Sequence, residues 1–529
     1  MPKTTKQHRA ELLMPAGSLS KLKTAILYGA DAVYAGTPDL SLRTQSSFTL
    51  EELMEGVRFA HERGKHIYLT LNLFTHNKDI EKLPLFVETV RKVKPDGLIV
   101  SDPGVFHFLK EHAPELELHV STQANACSWL TVQSWQKQGA SLCVLAREVS
   151  FEELGEIREK CPDIKLEAFI HGAMCMTYSG RCLLSNFLAE RGANQGNCAQ
   201  SCRWNYKVLA RTKDGKEVEI TPDNKDDYDF FLEEQYRPGE LMKIEEDERG
   251  SYIMNAKDLC LMPKLDEYLA LGVDSLKVEG RNKSEYYAAI TARAYRHAID
   301  AWYASPESWQ PDEFLRELYT LQSRGYSLGF HEGRLTNLAH NYDRTDTVGG
   351  WLYAGAIVEW DGDDMIFLIR NPLRAGAILE FLAPEAFEPI RLRLYEFENA
   401  QTGEVTEKVA PGQGRAIRIP AAGFHNEDPV TLKTQLPPMS VARTETELSD
   451  ERRTLLEGNL ISLDMESGLR DSTEDRPTVK GKAHVGKAPT LGLDSCCGLG
   501  CNGCLMFWND PKYEKARETL KAKKIGEML

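Results

Sequence analysis

Residues 117–172 read ELHVSTQANACSWLTVQSWQKQGASLCVLAREVSFEELGEIREKCPDIKLEAFIHG. Three short runs in this stretch, 117–123, 142–148 and 165–172, carry apolar residues in their bodies and close on a polar residue or glycine. Strands buried on both faces of a parallel sheet have this pattern. Before the third run, FEELGEIREKC has the composition and spacing of an amphipathic helix. Working outward, ELLMPAG (11–17), DAVYAG (31–36), HIYLTLN (66–72), DGLIVSD (96–102) and DSLKVEG (274–280) are runs of the same kind. SLSKLKTAILYGA sets Leu22, Ala25, Ile26 and Ala30 on one stripe, and FTLEELMEGVRFAHERG is similar. Eight strands alternating with helices predict an α/β protein with a TIM-like (β/α)8 barrel. A doubly wound sheet is the rival, but no G-x-G-x-x-G follows any of the strands.

A barrel places its chemistry at the C-terminal ends of its strands. Those ends carry Asn72, Asp102, Gln123, Arg147, Glu148, His171, Lys277, Glu279 and Arg281. Each alone is explained by a cap, a salt bridge or a loop contact. As a set they predict a polar pocket on one face.

The seventh and eighth strands are much farther apart than a loop and a helix require. The predicted barrel, 10–335, therefore carries an insertion over about 173–255, cysteine-rich at first and acidic from 211 to 250, where a solvated hairpin is expected. After the helical stretch SEYYAAITARAYRHAIDAWY, six short runs follow: LYAGAIVEW, MIFLIR, AILEFL, PIRLRLYEF, RAIRI and PVTLK. Asp361-Gly362 marks a tight turn, and Ile390, Leu392 and Leu394 alternate with polar residues. These features predict a small all-β barrel domain over 345–437. No Phe, Tyr or Trp occurs from His425 to Met506, so 438–490 reads as a linker, and 491–529 as a cysteine knuckle followed by a basic helix.

The chain has 529 residues, of which 42% are hydrophobic and 27% charged, the composition of a folded protein. No apolar run approaches the length of a membrane span, and the N-terminal segment lacks a signal-peptide pattern, so a cytoplasmic location with no membrane partner is expected. The net charge of −15 argues against a generic polyanion binder and leaves room for a local basic groove. Arg391, Arg393, Arg415 and Arg418, with the Lys-rich terminal helix, are candidates to form one.

Twelve cysteines in a reducing compartment point to metal or cluster ligation rather than disulfides. Cys175 and Cys182 are spaced C-x6-C, Cys198 and Cys202 C-x3-C, and Cys260 follows in NAKDLC. Four converging thiolates suit either zinc or an iron–sulfur cluster, and these loose spacings on a loop leaving the predicted catalytic face favour a 4Fe–4S cluster. Cys260 and Cys202 compete for the fourth place. Cys496, Cys497, Cys501 and Cys504, flanked by glycines, form a possible second metal or cluster site. Cys127, Cys143 and Cys161 lie on or beside predicted elements and read as packing residues. His171, Cys175 and Ser179 lack the nucleophile elbow of a hydrolase, and no H-E-x-x-H is present.

EAFIHGAMCMTYSGRCLLSN, then GNCAQSCRW, NAKDLC and DSLKVEGRNKSEYY, resemble the collagenase-like peptidase family U32 over about residues 10–440. Despite that label, the resemblance implies RNA hydroxylation without molecular oxygen. By length and its single β-domain the chain looks most like the branch forming 5-hydroxyuridine at the tRNA wobble position, with prephenate as co-substrate. Hydroxylation of a ribosomal RNA cytidine and true peptidase activity are the alternatives. By motif, Cys175, Cys182, Cys198 and Cys260 would hold the cluster, with Cys202 the alternative fourth ligand. His171, Glu279 and Arg281 are the expected catalytic residues, and Arg147, Lys277 and Gln123 the expected substrate contacts. Trp204 and Tyr206 are candidates to stack on bases. The longer acidic insertion and the cysteine-rich tail depart from the family pattern, and the tail suits docking of an electron donor or assembly partner.

Overall fold

The computed structural model describes residues 9–36, 48–72, 75–175, 178, 256–333, 349–411, 416–424, 428–446 and 453, and the backbone of six short strands between 209 and 252. Seven parallel strands run in chain order: β1 (Glu11–Ala16), β2 (Ala32–Gly36), β3 (His66–Leu71), β4 (Gly97–Val100), β5 (Glu117–Val120), β6 (Leu142–Val144) and β7 (Lys165–Gly172). A short strand β8 (Asp258–Cys260) pairs antiparallel with the end of β7. Strand β9 (Ser275–Val278) then pairs in parallel with both β7 and β1 and closes the eight-stranded barrel. All eight runs expected from the sequence are barrel strands.

Helices α1 (Leu19–Leu27), α2 (Leu50–His61), α3 (Leu83–Val93), α4 (Pro103–His112), α5 (Trp129–Lys137), α6 (Phe151–Lys160), α7 (Leu265–Leu271) and α8 (Glu285–Ala304) alternate with these strands. Their starts are written locally. Thr49 with Glu52 and Ser150 with Glu153 form capping boxes, and Asp102 accepts from the backbone N–H groups of Gly104 and Val105 ahead of Pro103. Asp102, one of the strand-end candidates, is therefore a helix cap.

Period-two alternation separates two layers. Leu12, Met14, Val33, Ala35, Leu69, Leu98, Val120, Leu166 and Val278 pack outward in the main core under the helices. Leu13, Ala32, Tyr34, Tyr68 and Ile99 form a separate cluster inside the barrel. Three hairpins, 209–211 with 217–219, 231–233 with 241–243 and 245–247 with 250–252, occupy the acidic part of the insertion and fall in a second compact unit.

The all-β domain is a seven-stranded antiparallel sheet built on its own core. It comprises β11 (Trp351–Asp361), β12 (Asp364–Ile369), β13 (Ile378–Leu382), β14 (Ile390–Arg393), β15 (Glu398–Asn399), β16 (Ala416–Ile419) and β17 (Val441–Glu445), in the order β14-β13-β17-β11-β12-β16-β15. A two-residue strand β10 (Tyr326–Ser327) sits earlier, beside β8. The structure departs from the sequence reading at two points. PVTLK is not a strand but the helix α9 (Pro429–Gln435), because Asp428 caps it and Pro429 occupies its first turn. The strand beside β11 and β13 is instead β17, past residue 437, where PPMS ends in a turn and Val441 and Ala442 find partners on both sides.

One sheet face meets the barrel. Tyr28, buried at the end of α1, donates its hydroxyl to the Leu382 carbonyl (2.6 Å) and accepts from the Val441 N–H (2.9 Å). Arg443 bridges Glu380 (3.0 Å) and Glu317 (3.1 Å), and its guanidinium lies over Trp351. Arg293 of α8 lies 3.5 Å from the same Glu317. Nearer the barrel mouth, Tyr286 stacks on Tyr353 (5.4 Å) and Glu285 faces Arg370. Buried charges of this kind lose most when one partner is deleted. Arg443→Ala, which strands Glu380 and leaves Glu317 with Arg293 alone, is expected to lower stability by about 3–5 kcal/mol, measured as a lower midpoint of denaturant unfolding.

Candidate functional site

The barrel interior is polar at positions where such barrels usually hold branched aliphatics. Glu167 of β7 and Lys277 of β9 pair at 2.6 Å, with side chains at 0% and 5% exposure. Ser275 donates to the second Glu167 oxygen (2.9 Å). Above this pair cations and rings alternate. The Lys277 ammonium lies 4.5 Å from the Tyr34 ring centre and 5.5 Å from that of Phe169. Arg281 lies 5.5 Å over the same Tyr34, and Arg147 lies 4.1 Å over Phe169. Each contact attracts a cation to a ring face. Three cations and two aromatic rings thus line the barrel from its middle to its C-terminal mouth, opposed by Glu167 and Glu279.

The cations are held differently. Arg147 donates Nη1 to the Ala173 carbonyl (2.9 Å) and Nη2 to Glu279 (3.0 Å). Its fork therefore ties the exit of β7 to the segment after β9. Arg281 donates Nη1 to Thr70 Oγ1 (3.1 Å) on β3. Two glycines let these backbones meet. A Cβ on Gly17 would strike the Arg281 carbonyl, and one on Gly172, which has φ of 118°, would lie 2.5 Å from the Glu279 carbonyl. Gln123 is buried in the turn after β5, and Asn72 reaches Ser121 at 3.5 Å.

His171 does not join this group. The register of β7 on β9 shifts, so that Lys277 pairs with Phe169 but Val278 pairs with His171. The bulge gives His171 the orientation of Val278, toward the helices. Its ring sits among Tyr287 (5.9 Å), Tyr295 (5.7 Å) and Tyr326 (5.4 Å), with Nδ1 3.4 Å from the Tyr295 hydroxyl. Burial pushes its pKa down to about 3, which keeps the imidazole neutral. Its contribution to the mouth is through the main chain, since its carbonyl accepts from the Glu279 N–H (2.8 Å).

Of the expected cluster ligands, Cys175 and Cys260 lie within the described residues, whereas Cys182, Cys198, Cys202, Cys496, Cys497, Cys501 and Cys504 lie outside them, as do Ser179, Trp204, Tyr206 and Arg415. Cys175 is exposed, three residues past β7. Cys260 lies on β8, level with His171, and is buried, with Sγ 3.9 Å from the Tyr295 hydroxyl. Burial pushes this thiol up to about 12. Among the described residues no group of three or more His, Cys, Asp or Glu is arranged to hold a metal ion. Thiol donors suit an iron–sulfur group in kind, and coordination itself deprotonates a thiol; of the two described, Cys175 is exposed and Cys260 is packed against Tyr295. Cys143 and Cys161 are buried packing residues.

Tyr34, Thr70, Glu167 and Phe169 belong to the site but lie within strand bodies, so a reading of strand ends passes over them. The available signal is Glu167, a carboxylate set between Leu166 and Ala168 in the body of a strand.

The model of peptidase family U32 matches residues 17–341. The chain belongs to that family. A relative from Escherichia coli (strain K12) called tRNA hydroxylation protein P is 40% identical, over 78% of this chain and 94% of the relative. Its namesake from Haemophilus influenzae is 42% identical, over 79% and 94%. A 23S rRNA 5-hydroxycytidine synthase from E. coli is 33% identical, over 78% of this chain and 57% of that protein.

The interior ion pair is directly testable. Lys277→Met leaves the Glu167 carboxylate buried without its cation and is expected to lower stability by about 3–5 kcal/mol. Adding Glu167→Gln should recover most of that loss in denaturant unfolding.

Proposed function

We propose that this U32 chain is an RNA-hydroxylating enzyme that converts a tRNA wobble uridine to 5-hydroxyuridine at the C-terminal mouth of its barrel. The observation that carries this reading is the similarity to proteins named for tRNA hydroxylation, at 40% and 42% identity over 78% and 79% of this chain and 94% of each relative. The mouth agrees in chemistry. Arg281, beside the Tyr34 ring and above the Lys277–Glu167 pair, offers a cation with an aromatic face, suited to a base joined to phosphate and to a small carboxylate donor such as prephenate. Among the described residues no helix is long and apolar enough to cross a membrane.

The same reading includes a 4Fe–4S cluster, which would supply electron transfer and permit hydroxylation without molecular oxygen. Cys175, Cys182, Cys198 and Cys260 would hold it, with Cys202 the alternative to Cys260. What the described side chains do is separate from that group. Arg281, braced by Thr70, orients an anionic partner. Arg147 has both arms engaged and positions the backbone at Ala173 rather than gripping substrate. Glu279, fixed by Arg147 and by the His171 carbonyl, is the carboxylate placed to exchange a proton at the mouth. A peptidase reading needs His171 as a base, and its burial among three tyrosines disfavours that role.

Two measurements test the proposal. Nucleosides of tRNA from cells lacking this chain should lose 5-hydroxyuridine, with restoration by the wild-type chain and not by Arg281→Ala. Unchanged tRNA with loss of 5-hydroxycytidine from ribosomal RNA would move the substrate to the ribosome. Anaerobically purified protein should contain about four irons and four sulfides per chain, and Cys175→Ala much less. Iron-free protein with full activity would remove the cluster.

A further inference from the structure

The outer edge of the β-domain carries a basic surface that the barrel site does not use. Strand β14 is an edge strand of the sheet, with Leu392 packed into the domain core and Arg391 and Arg393 exposed on the other face. Arg393 donates to the Gly376 carbonyl (3.1 Å), beside the two-residue strands Leu373–Arg374 and Lys408–Val409. There Leu373 and Val409 enter the same core, which leaves Arg374 and Lys408 opposite each other and exposed. Tyr395, 43% exposed, follows on the same segment. Four cations and an aromatic ring are thereby gathered on a chain whose net charge is −15.

Acidic residues border them: Glu380, taken by Arg443, lies opposite Arg391, and Glu396 adjoins Tyr395. Glu407 adjoins Lys408, and Glu445 lies 3.8 Å from Arg391, with both of those side chains more than half exposed. A solvated pair at that distance is weak and readily exchanged for a phosphate. Arg418, the other described arginine of the candidate basic groove, does not belong here. It is engaged by Asp361 (2.7 Å) and Asp364 (2.9 Å).

The position of the edge is set by the junction with the barrel. Leu382 and Val441 meet Tyr28 at the end of α1, away from the mouth. Tyr353, aligned with Arg443 and through it with Glu380, meets Tyr286 at the start of α8, on the mouth side. Glu380 is opposite Arg391, and Ile378 is opposite Arg393. The basic edge therefore continues toward the mouth end of the barrel, on the sheet face that meets it.

We propose that Arg391, Arg393, Arg374 and Lys408 form a docking surface for the phosphate backbone of the RNA whose base enters the barrel mouth. The buried Arg443 network makes the spacing between this surface and the mouth a fixed length. The surface selects RNA long enough to reach both places. The inference rests on the RNA reading above, and its test separates the two.

Fluorescently labelled unmodified tRNA transcript is titrated with the full chain across a range of salt concentrations. Arg391→Gln/Arg393→Gln/Lys408→Gln should bind about tenfold or more weakly at low salt, with a log–log salt slope shallower by about two to three. Its unfolding midpoint should match the wild type, and Arg418→Gln should bind as the wild type does. Equal affinity and slope for the triple variant and the wild type would overturn the docking surface. Lost RNA modification in cells with unchanged RNA affinity would also overturn it and assign the edge to a protein partner. Absence of RNA binding by the wild-type chain would instead overturn the RNA reading itself.

Discussion

Strand β9 is hydrogen-bonded along both edges, to β1 at Glu11–Leu13 and to β7 at Glu167–His171. Everything at the mouth depends on that double pairing. The barrel seam closes only after the long insertion has been traversed, so the pairing must be specified by something stronger than sequence proximity. Inside the barrel that is the charge on Lys277, which has a matching carboxylate at Glu167. A strand slipped by one residue would turn Lys277 out into the apolar layer and bury Glu167 alone. Outside, Leu276 and Val278 pack under the helices. Both faces of β9 thus enforce one register.

The same seam shapes the site. Arg147, Glu279 and Arg281 come from two strand ends, β6 and β9, that are not neighbours, and the exit of β7 passes between them. Glycine at 172 allows the two backbones to approach, and the bulge just before it turns His171 outward. The His-Gly pair therefore has an architectural role that its place in the motif does not announce. Its imidazole belongs to the tyrosine layer of α8, while its carbonyl steadies Glu279.

Much of the barrel was legible because its strands are short, largely apolar and ended by a polar residue or glycine. Their shortness, with the 3.6-residue period of the stretches between them, separates strands from helices. The β-domain was less legible at its end, where a helix begins with Pro-Val-Thr and a strand is written Val-Ala-Arg-Thr-Glu. Those five residues form a strand only because partners on both sides take their hydrogen bonds, which is tertiary information. In the site, strand ends pointed to Arg147, Glu279 and Arg281. The orientation of His171 depended on a one-residue register shift that no local pattern encodes. Tyr34 and Phe169 look like ordinary core aromatics until the cations stacked on them are seen.

The fork of Arg147 has a reciprocal meaning. One arm holds the main chain two residues before Cys175, and the other holds the carboxylate just past the strand that completes the cylinder. Whatever fixes the conformation of the segment leaving Ala173 is then felt as extra cohesion where the sheet joins itself, and a frayed join would loosen that segment by an equal free energy. Order in the segment leaving Ala173 and integrity of the scaffold are thereby linked through the Arg147 guanidinium.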